Sequence, residues 1–124
     1  MPKANRRQRT GRRGEELAVA KLAALGCQIV TRNYRCPYGE VDIICQDGSA
    51  LAFVEVRART GDDYGSPEES VTPAKQARLA NVAAHYLQEN EMEASDWRID
   101  LVAIELDSDG SVRRVEWIKN AVTE

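Results

Sequence analysis

Two short apolar runs, residues 41–45 (Val-Asp-Ile-Ile-Cys) and 51–58 (Leu-Ala-Phe-Val-Glu-Val-Arg-Ala), flank Asp47-Gly48 and constrain this chain more than any other feature. Val, Ile and Phe favour extended backbone, and Asp-Gly is a strong hairpin turn. The pattern predicts a β-hairpin with acids set inside its strands. Strand side chains alternate between faces, so Glu40, Asp42 and Ile44 share one face, opposite Val41, Ile43 and Cys45. In the next strand Leu51, Phe53, Glu55 and Arg57 share a face, opposite Ala52, Val54, Val56 and Ala58.

Loop length decides whether the acids meet. If the loop is Asp47-Gly48 alone, Glu40 faces Glu55 and Asp42 is its diagonal neighbour. If the loop is residues 47–50, Asp42 faces Glu55 directly. Either even loop gathers Glu40, Asp42, Glu55 and Arg57 on one face, and an odd loop without a bulge separates Asp42 from Glu55. Opposed Cβ atoms lie roughly 5 Å apart and diagonal ones about 7–8 Å, and both spacings suit two carboxylates sharing one cation. The other face of the hairpin is wholly apolar. Both faces are therefore expected to be covered, with the acids at the margin of a core. Like charges side by side there destabilise a fold. A hard divalent cation resolves the repulsion, and its chemistry is to activate water and neutralise charge on a phosphate. The competing reading is a solvated strand end with an Arg57 salt bridge.

The rest of the chain supplies a frame for the hairpin. Residues 14–25 carry a helical apolar stripe (Leu17, Ala18, Ala20, Leu22, Leu25) stopped by Gly26. Residues 28–34 read as a strand, and Cys36-Pro37-Tyr38-Gly39 as a turn. Residues 60–72 form a loop that is long for so small a domain, and such loops are often functional or mobile. Thr72 caps a helix that starts at Pro73 and runs to about residue 90. Strands follow at 97–106 and 112–118, joined by Asp109-Gly110. The order is α-β-β-β-α-β-β. A helix between the third and fourth strands implies a crossover, which makes those two strands parallel and the sheet mixed.

A chain of 124 residues with 43% hydrophobic content fits one domain with a real core. No apolar run approaches the ~20 residues of a membrane span, and the N-terminus lacks the apolar stretch of a secretory signal. A cytoplasmic protein is expected. Three cysteines without a Cys-x-x-Cys pair, and a single histidine, argue against a disulfide framework or a zinc site. The net charge of −3 is unevenly spread. Residues 1–13 hold six basic groups and no acid, including Arg12 and Arg13, and the rest carries a net −9. This divides the chain into a basic flexible arm, 1–13, and a single domain, 14–124. The arm can track phosphates or simply solubilise. The acidic body argues against binding DNA through charge alone and fits a metal offsetting clustered carboxylates.

Gly39-Glu40-Val41-Asp42-Ile43-Ile44 and Phe53-Val54-Glu55-Val56-Arg57-Ala58-Arg59 resemble the core of the YraN-type family, in the PD-(D/E)xK nuclease-like superfamily and similar to archaeal Holliday-junction resolvases. The likeness runs from Gly11 to about Ile104. It includes Gly14-Glu15-Glu16-Leu17-Ala18, Arg32-Asn33-Tyr34, Gly65-Ser66-Pro67, Lys75 and Arg98-Ile99-Asp100. It implies a restriction-endonuclease-like α/β fold, a five-stranded mixed sheet flanked by helices, and a nucleic-acid-binding endonuclease acting on DNA with Mg²⁺ or Mn²⁺. By position, Asp42 would be the first acidic ligand, Glu55 the second, and Glu15 the acid supplied by the first helix. Residues 15, 18, 22 and 25 share one helical face, so Glu15 extends the apolar stripe. It is also an acid favoured by the helix dipole.

Arg57 departs from the resemblance, because superfamily nucleases carry a lysine there to hold the attacking water. Arginine can grip a phosphate bidentately but cannot give up its proton. Lys75, near the start of the second long helix, would supply the missing ammonium, since catalytic lysines migrate in this superfamily; otherwise it is a solvent-exposed helix residue. Glu40 would stand behind the ligands or serve a second metal. Asp100, on the same face as Arg98, reads as that arginine's partner rather than as a ligand. Arg59 and Arg78 are candidate phosphate contacts, or plain surface charges. Tyr38, Tyr64, Trp97 and Trp117 could stack on bases, although isolated aromatics usually pack. Three functions compete: a metal-dependent endonuclease, a non-catalytic nucleic-acid-binding module, and a protein-interaction domain using loop 60–72 and a sheet edge. Any of them is compatible with a homodimer.

Overall fold

The computed structural model of the chain describes residues 6–61 and 65–122, with side chains from residue 8. Helix α1 (Arg6–Ala24) precedes strands β1 (Gln28–Cys36), β2 (Gly39–Asp47) and β3 (Ala50–Thr60). A short 3₁₀ turn (Glu68–Ser70) leads into helix α2 (Pro73–Glu89), then β4 (Asp96–Leu106) and β5 (Val112–Val122). The five strands lie in sequence order, antiparallel except for the β3–β4 pair. This is the expected α-β-β-β-α-β-β architecture, with α2 as the crossover that makes β3 and β4 parallel.

The two helices cover opposite faces of the sheet. Ala18 and Leu22 of α1 join Ile43, Cys45, Ala52, Val54, Val102 and Ile104 in one buried cluster. Leu79, Val82, Ala83 and Leu87 of α2 join Ile44, Leu51, Phe53 and Ile99 in the other. Thr72 caps α2 by accepting a hydrogen bond from the Lys75 N–H, and Pro73 occupies the first turn.

Two expectations need correction. The first concerns the basic arm. Helix α1 begins at Arg6 rather than Gly14, so residues 6–13 are helical and not a flexible arm. Arg and Gln are good helix formers, so the basic run extends the helix that the apolar stripe anchors. Residues 1–5 lie outside the described residues. The second concerns Leu25, which stands past the helix end and is 55% exposed instead of closing the apolar stripe. Gly26, at φ +89°, turns the chain there, and the Cys27 N–H donates to the Leu22 carbonyl.

The β2–β3 hairpin has the register that matters. Asp47 pairs with Ala50, Gln46 with Leu51, and so on to Ile43 with Val54. Extended one step, this register sets Asp42 opposite Glu55. The ladder stops at Ile43–Val54, however, while β2 keeps pairing with β1 as far as the Cys36–Gly39 turn. Past that point β2 follows β1 and leaves β3. The strict alternation expected for β2 breaks here. Val41 joins the α2-side cluster with Ile44, instead of sharing a face with Ile43. The hairpin face opposite the acids is therefore not the simple apolar row that period-two counting gives.

Candidate active site

The splay between β2 and β3 leaves a gap in the sheet, and Asp42 fills it. The Val56 N–H, which has no ladder partner on β2, donates to Asp42 Oδ2 at 2.8 Å. A backbone donor is thus satisfied by a side chain where the strand pairing ends. The same geometry holds the Asp42 carboxyl against that of Glu55 in hydrogen-bonding contact. Burial, followed by the Glu55 charge, pushes Asp42 up to about 8, against an ordinary value of 3.8. Near neutral pH the pair therefore holds a proton. The Val56 N–H and Arg57 pull the other way, with less effect.

Arg57 follows Glu55 on the same face of β3. Its Nη2 donates to Glu55 Oε2 at 2.8 Å, with both side chains largely buried at 27% and 13% exposure. The expected Arg57 salt bridge is present, and it coexists with the acid pair. Arg57 Nε is buried without a hydrogen-bond partner, as is Arg59 Nε two residues on. Such orphaned donors are costly and mark a surface built to receive an acceptor.

Glu15 approaches from the α1 side. Gly14 lets the helix lie close: a Cβ there would stand 3.1 Å from the Ala58 Cβ and 3.8 Å from Val56 Cγ1. Burial, then the nearby Asp42 charge, raises the Glu15 carboxyl, and Arg32 and the Asn33 side chain partly offset this. Glu15 Oε1 is buried and unpartnered. The structure thus sets Glu15 close enough to Asp42 for the two charges to interact. Among the described residues, however, no three His, Cys, Asp or Glu side chains gather tightly enough to hold a metal between them.

Asp42, Glu55 and Arg57 line a cleft of about 590 Å³, which Glu15 does not reach. Arg35 and Glu40 of the β1–β2 hairpin form one wall, and Lys75 and Arg78 of α2 the other. Lys75 is half-buried rather than free in solvent. Its Nζ donates to the Ser70 carbonyl at 3.1 Å, and burial, then Arg57, lowers its ammonium below the ordinary value. Arg78 is exposed on the same wall. Glu40 reaches the cleft but pairs with Arg35 at 2.9 Å in an exposed ion pair, apart from the buried acids.

Other candidates lie elsewhere. Arg13 donates to the Gly110 carbonyl at the β4–β5 turn, away from the acid pair, and Arg12 is exposed on α1. Asp100 is buried and fully engaged. It accepts from Arg98 Nε at 2.9 and 3.1 Å, from Trp117 Nε1 at 2.8 Å and from the Asn120 N–H at 2.8 Å. It is a structural partner of Arg98, as its spacing suggested. Trp97 packs edge-on against Phe53, and Tyr64 lies outside the described residues.

Residues 14–104 match a family described as "Uncharacterised protein family UPF0102". The chain belongs to this family. A UPF0102 protein of Pelotomaculum thermopropionicum is 45% identical over 118 residues, covering 95% of this chain and 98% of that protein. One from Syntrophus aciditrophicus is 43% identical, covering 91% and 87% respectively. A third, from Moorella thermoacetica, is 44% identical, covering 93% and 96%. The matched segment runs from Gly14, which seats α1, through the acid pair and the α2 wall into β4, and so spans the whole cleft.

Three contributors escaped sequence reasoning. Arg35 could have been found, since a turn at residues 36–39 sets it opposite Glu40. Asn33, at φ +54°, turns its backbone beside Glu15, and a positive φ at asparagine is a signal only in hindsight. The Val56 N–H is a backbone group and leaves no trace in the sequence. No described helix is long and apolar enough to cross a membrane.

Proposed function

We propose that this chain is a cytoplasmic, nucleic-acid-binding protein of the PD-(D/E)xK type, which hydrolyses phosphodiesters of DNA with Mg²⁺ or Mn²⁺ at Asp42 and Glu55. The observation that carries the reading is the buried acid pair, facing a wall of cations in one cleft. Two carboxyls that share a proton, with only the Arg57 guanidinium beside them, fit a hard cation. Asp42 and Glu55 would hold the ion, with water and phosphate oxygens completing its shell, as Mg²⁺ sites commonly allow. Bound there, it would activate a water and neutralise charge on the phosphate.

The remaining chemistry belongs to the chain's own residues. Asp42 is fixed through Val56, so its carboxyl is oriented before any ligand arrives. Arg57 is tied to Glu55 and presents an unpartnered Nε–H, which suits it to donate to a phosphate oxygen without serving as a base. Lys75, with its ammonium destabilised by burial and Arg57, is the better group to hold a water or protonate a leaving oxygen. Arg78 and Arg59 extend the charge along the backbone of a bound strand.

A second reading rests on the Arg57–Glu55 pair: a protein that binds nucleic acid in this cleft without turnover. The two separate in one experiment. Mn²⁺ is titrated calorimetrically into the wild type, Asp42→Asn and Glu55→Gln, and the same proteins are incubated with DNA and Mn²⁺. Metal binding and cleavage lost together in both variants support the endonuclease. DNA binding without cleavage, unchanged by metal, supports the second reading. Cleavage persisting in both variants removes the assignment of the acid pair.

A further inference from the structure

One large aromatic ring stands open at the rim of the cleft. Tyr38 lies in the two-residue turn between β1 and β2, and it is 55% exposed. The turn is not loose. Gly39 takes φ +135°, which favours glycine, and its backbone sits so close to α2 that a Cβ would touch Val82 Cγ2 at 3.7 Å. The Tyr38 ring meets His85 of α2 edge-on, with centroids 5.8 Å apart and planes at 61°. A ring propped on one edge and open to solvent is a platform whose conformational cost is already met by the fold.

The platform continues the cleft. Arg78 stands two helical turns before His85 on α2, with Lys75 almost one turn further back toward the acid pair. Arg35, next to the turn and paired with Glu40, lines the same cleft as Arg78. From Lys75 to His85 the helix spans about 15 Å, roughly four stacked nucleotides of one strand. Cations along this path match a phosphate backbone. The ring at its end matches a base, because stacking requires only a free π-face and is worth about 1–3 kcal/mol per base. A base inside a duplex has no free face to offer.

We infer that Tyr38, braced by His85, stacks on an unpaired base a few nucleotides from the phosphate held over Asp42 and Glu55. The substrate class of this site is then a single-stranded segment rather than continuous duplex. The inference rests on the nucleic-acid reading of the cleft. It assigns Tyr38 a binding task that does not touch the metal.

The test measures anisotropy of a labelled 12-nucleotide single strand in Ca²⁺, alongside an abasic strand of equal length and a blunt duplex. Tyr38→Ala is expected to weaken the single strand at least tenfold. Tyr38→Phe, which keeps the ring, should stay within twofold of wild type. The abasic strand should bind wild type and Tyr38→Ala alike, and the duplex should bind wild type more weakly than the single strand. Equal binding of the base-containing strand by wild type and Tyr38→Ala overturns the inference, as does an equal loss for the abasic strand or the duplex. Mn²⁺ titration of the same variants keeps the two readings apart. Unchanged Mn²⁺ affinity in Tyr38→Ala is expected. Failure of wild type to bind Mn²⁺, with the stacking pattern intact, removes the metal reading and leaves the platform standing.

Discussion

The Val56 N–H donates to Asp42 Oδ2 at 2.8 Å at the point where β2 and β3 cease to pair. One hydrogen bond therefore does two jobs: it satisfies a strand donor that the splay would leave orphaned, and it holds Asp42 against Glu55. The arrangement keeps two acids together in a half-buried site, so it must show in the pH dependence of stability.

Folded Asp42 keeps its proton up to about pH 8, whereas its ordinary value is 3.8. Between these values the unfolded chain binds fewer protons than the folded one. Stability is thus greatest below the lower value, falls as pH rises through the window, and reaches its floor above the upper one. Asp42→Asn retains the acceptor for Val56 and the contact to Glu55 but does not titrate. It should be about 2–5 kcal/mol more stable than wild type at pH 8–9 and near parity at pH 4. Urea melts at three pH values measure this, and a gap that does not widen with pH contradicts the assigned burial of the pair.

Metal binding should release a proton from the same site. Mn²⁺ must displace the proton shared by Asp42 and Glu55, so its affinity should rise by well over tenfold, roughly in step with deprotonation, from pH 6 to pH 8. Calorimetry in two buffers of different ionisation enthalpy counts the protons released. Binding that is flat across this range means the cation sits elsewhere.

Much of this site was legible in the sequence because strand periodicity is simple. Two acids on adjacent strands joined by an even loop fall on one face, and Asp47–Ala50 pairing sets a register that, extended one step beyond Ile43–Val54, brings Asp42 opposite Glu55. The crossover was legible because a capped helix separates β3 from β4. The limits were equally physical. Alternation counts faces only while a strand stays paired, so the turn of Val41 onto the α2 side was invisible once β2 left β3. Lys75 read as a surface residue because exposure depends on what the crossover helix lands beside, which here is Arg57 and Ser70. The basic run 6–13 read as an arm because charge pattern overshadowed its helix propensity.

Gly14 offers a test of how Glu15 is placed. A Cβ at this position would stand 3.1 Å from the Ala58 Cβ and 3.6 Å from Ile104 Cδ1. The first is fixed to strand backbone, so α1 itself must shift. Gly14→Val should destabilise the fold by about 1–3 kcal/mol despite removing a helix glycine, because overpacking outweighs propensity. Lifting α1 also carries Glu15 from the acid pair, so Mn²⁺ affinity should fall with stability. If affinity holds while stability drops, Glu15 contributes nothing to the site.

Asp100 tests the distinction between a buried acid that binds and one that braces. It accepts from Arg98, Trp117 and Asn120, and Arg98 also reaches Asp47 at 2.6 Å, so one carboxylate ties β4 to β5 while its arginine ties β4 to the β2–β3 turn. Asp100→Ala leaves the largely buried Arg98 with only Asp47 to offset its charge, and it strips acceptors from the Trp117 and Asn120 N–H groups. The cost should be about 3–5 kcal/mol, the range for breaking a buried charge pair on one side. Asp100→Asn keeps the shape but turns an amide NH2 donor toward groups that are themselves donors, and should lose about 2–3 kcal/mol. Neither change alters the Asp42–Glu55 pair, so the Mn²⁺ affinity of Asp100→Asn, measured below its melting range, should match wild type. A tenfold loss of Mn²⁺ affinity in a folded Asp100→Asn protein would move Asp100 from the frame of the sheet into the site itself.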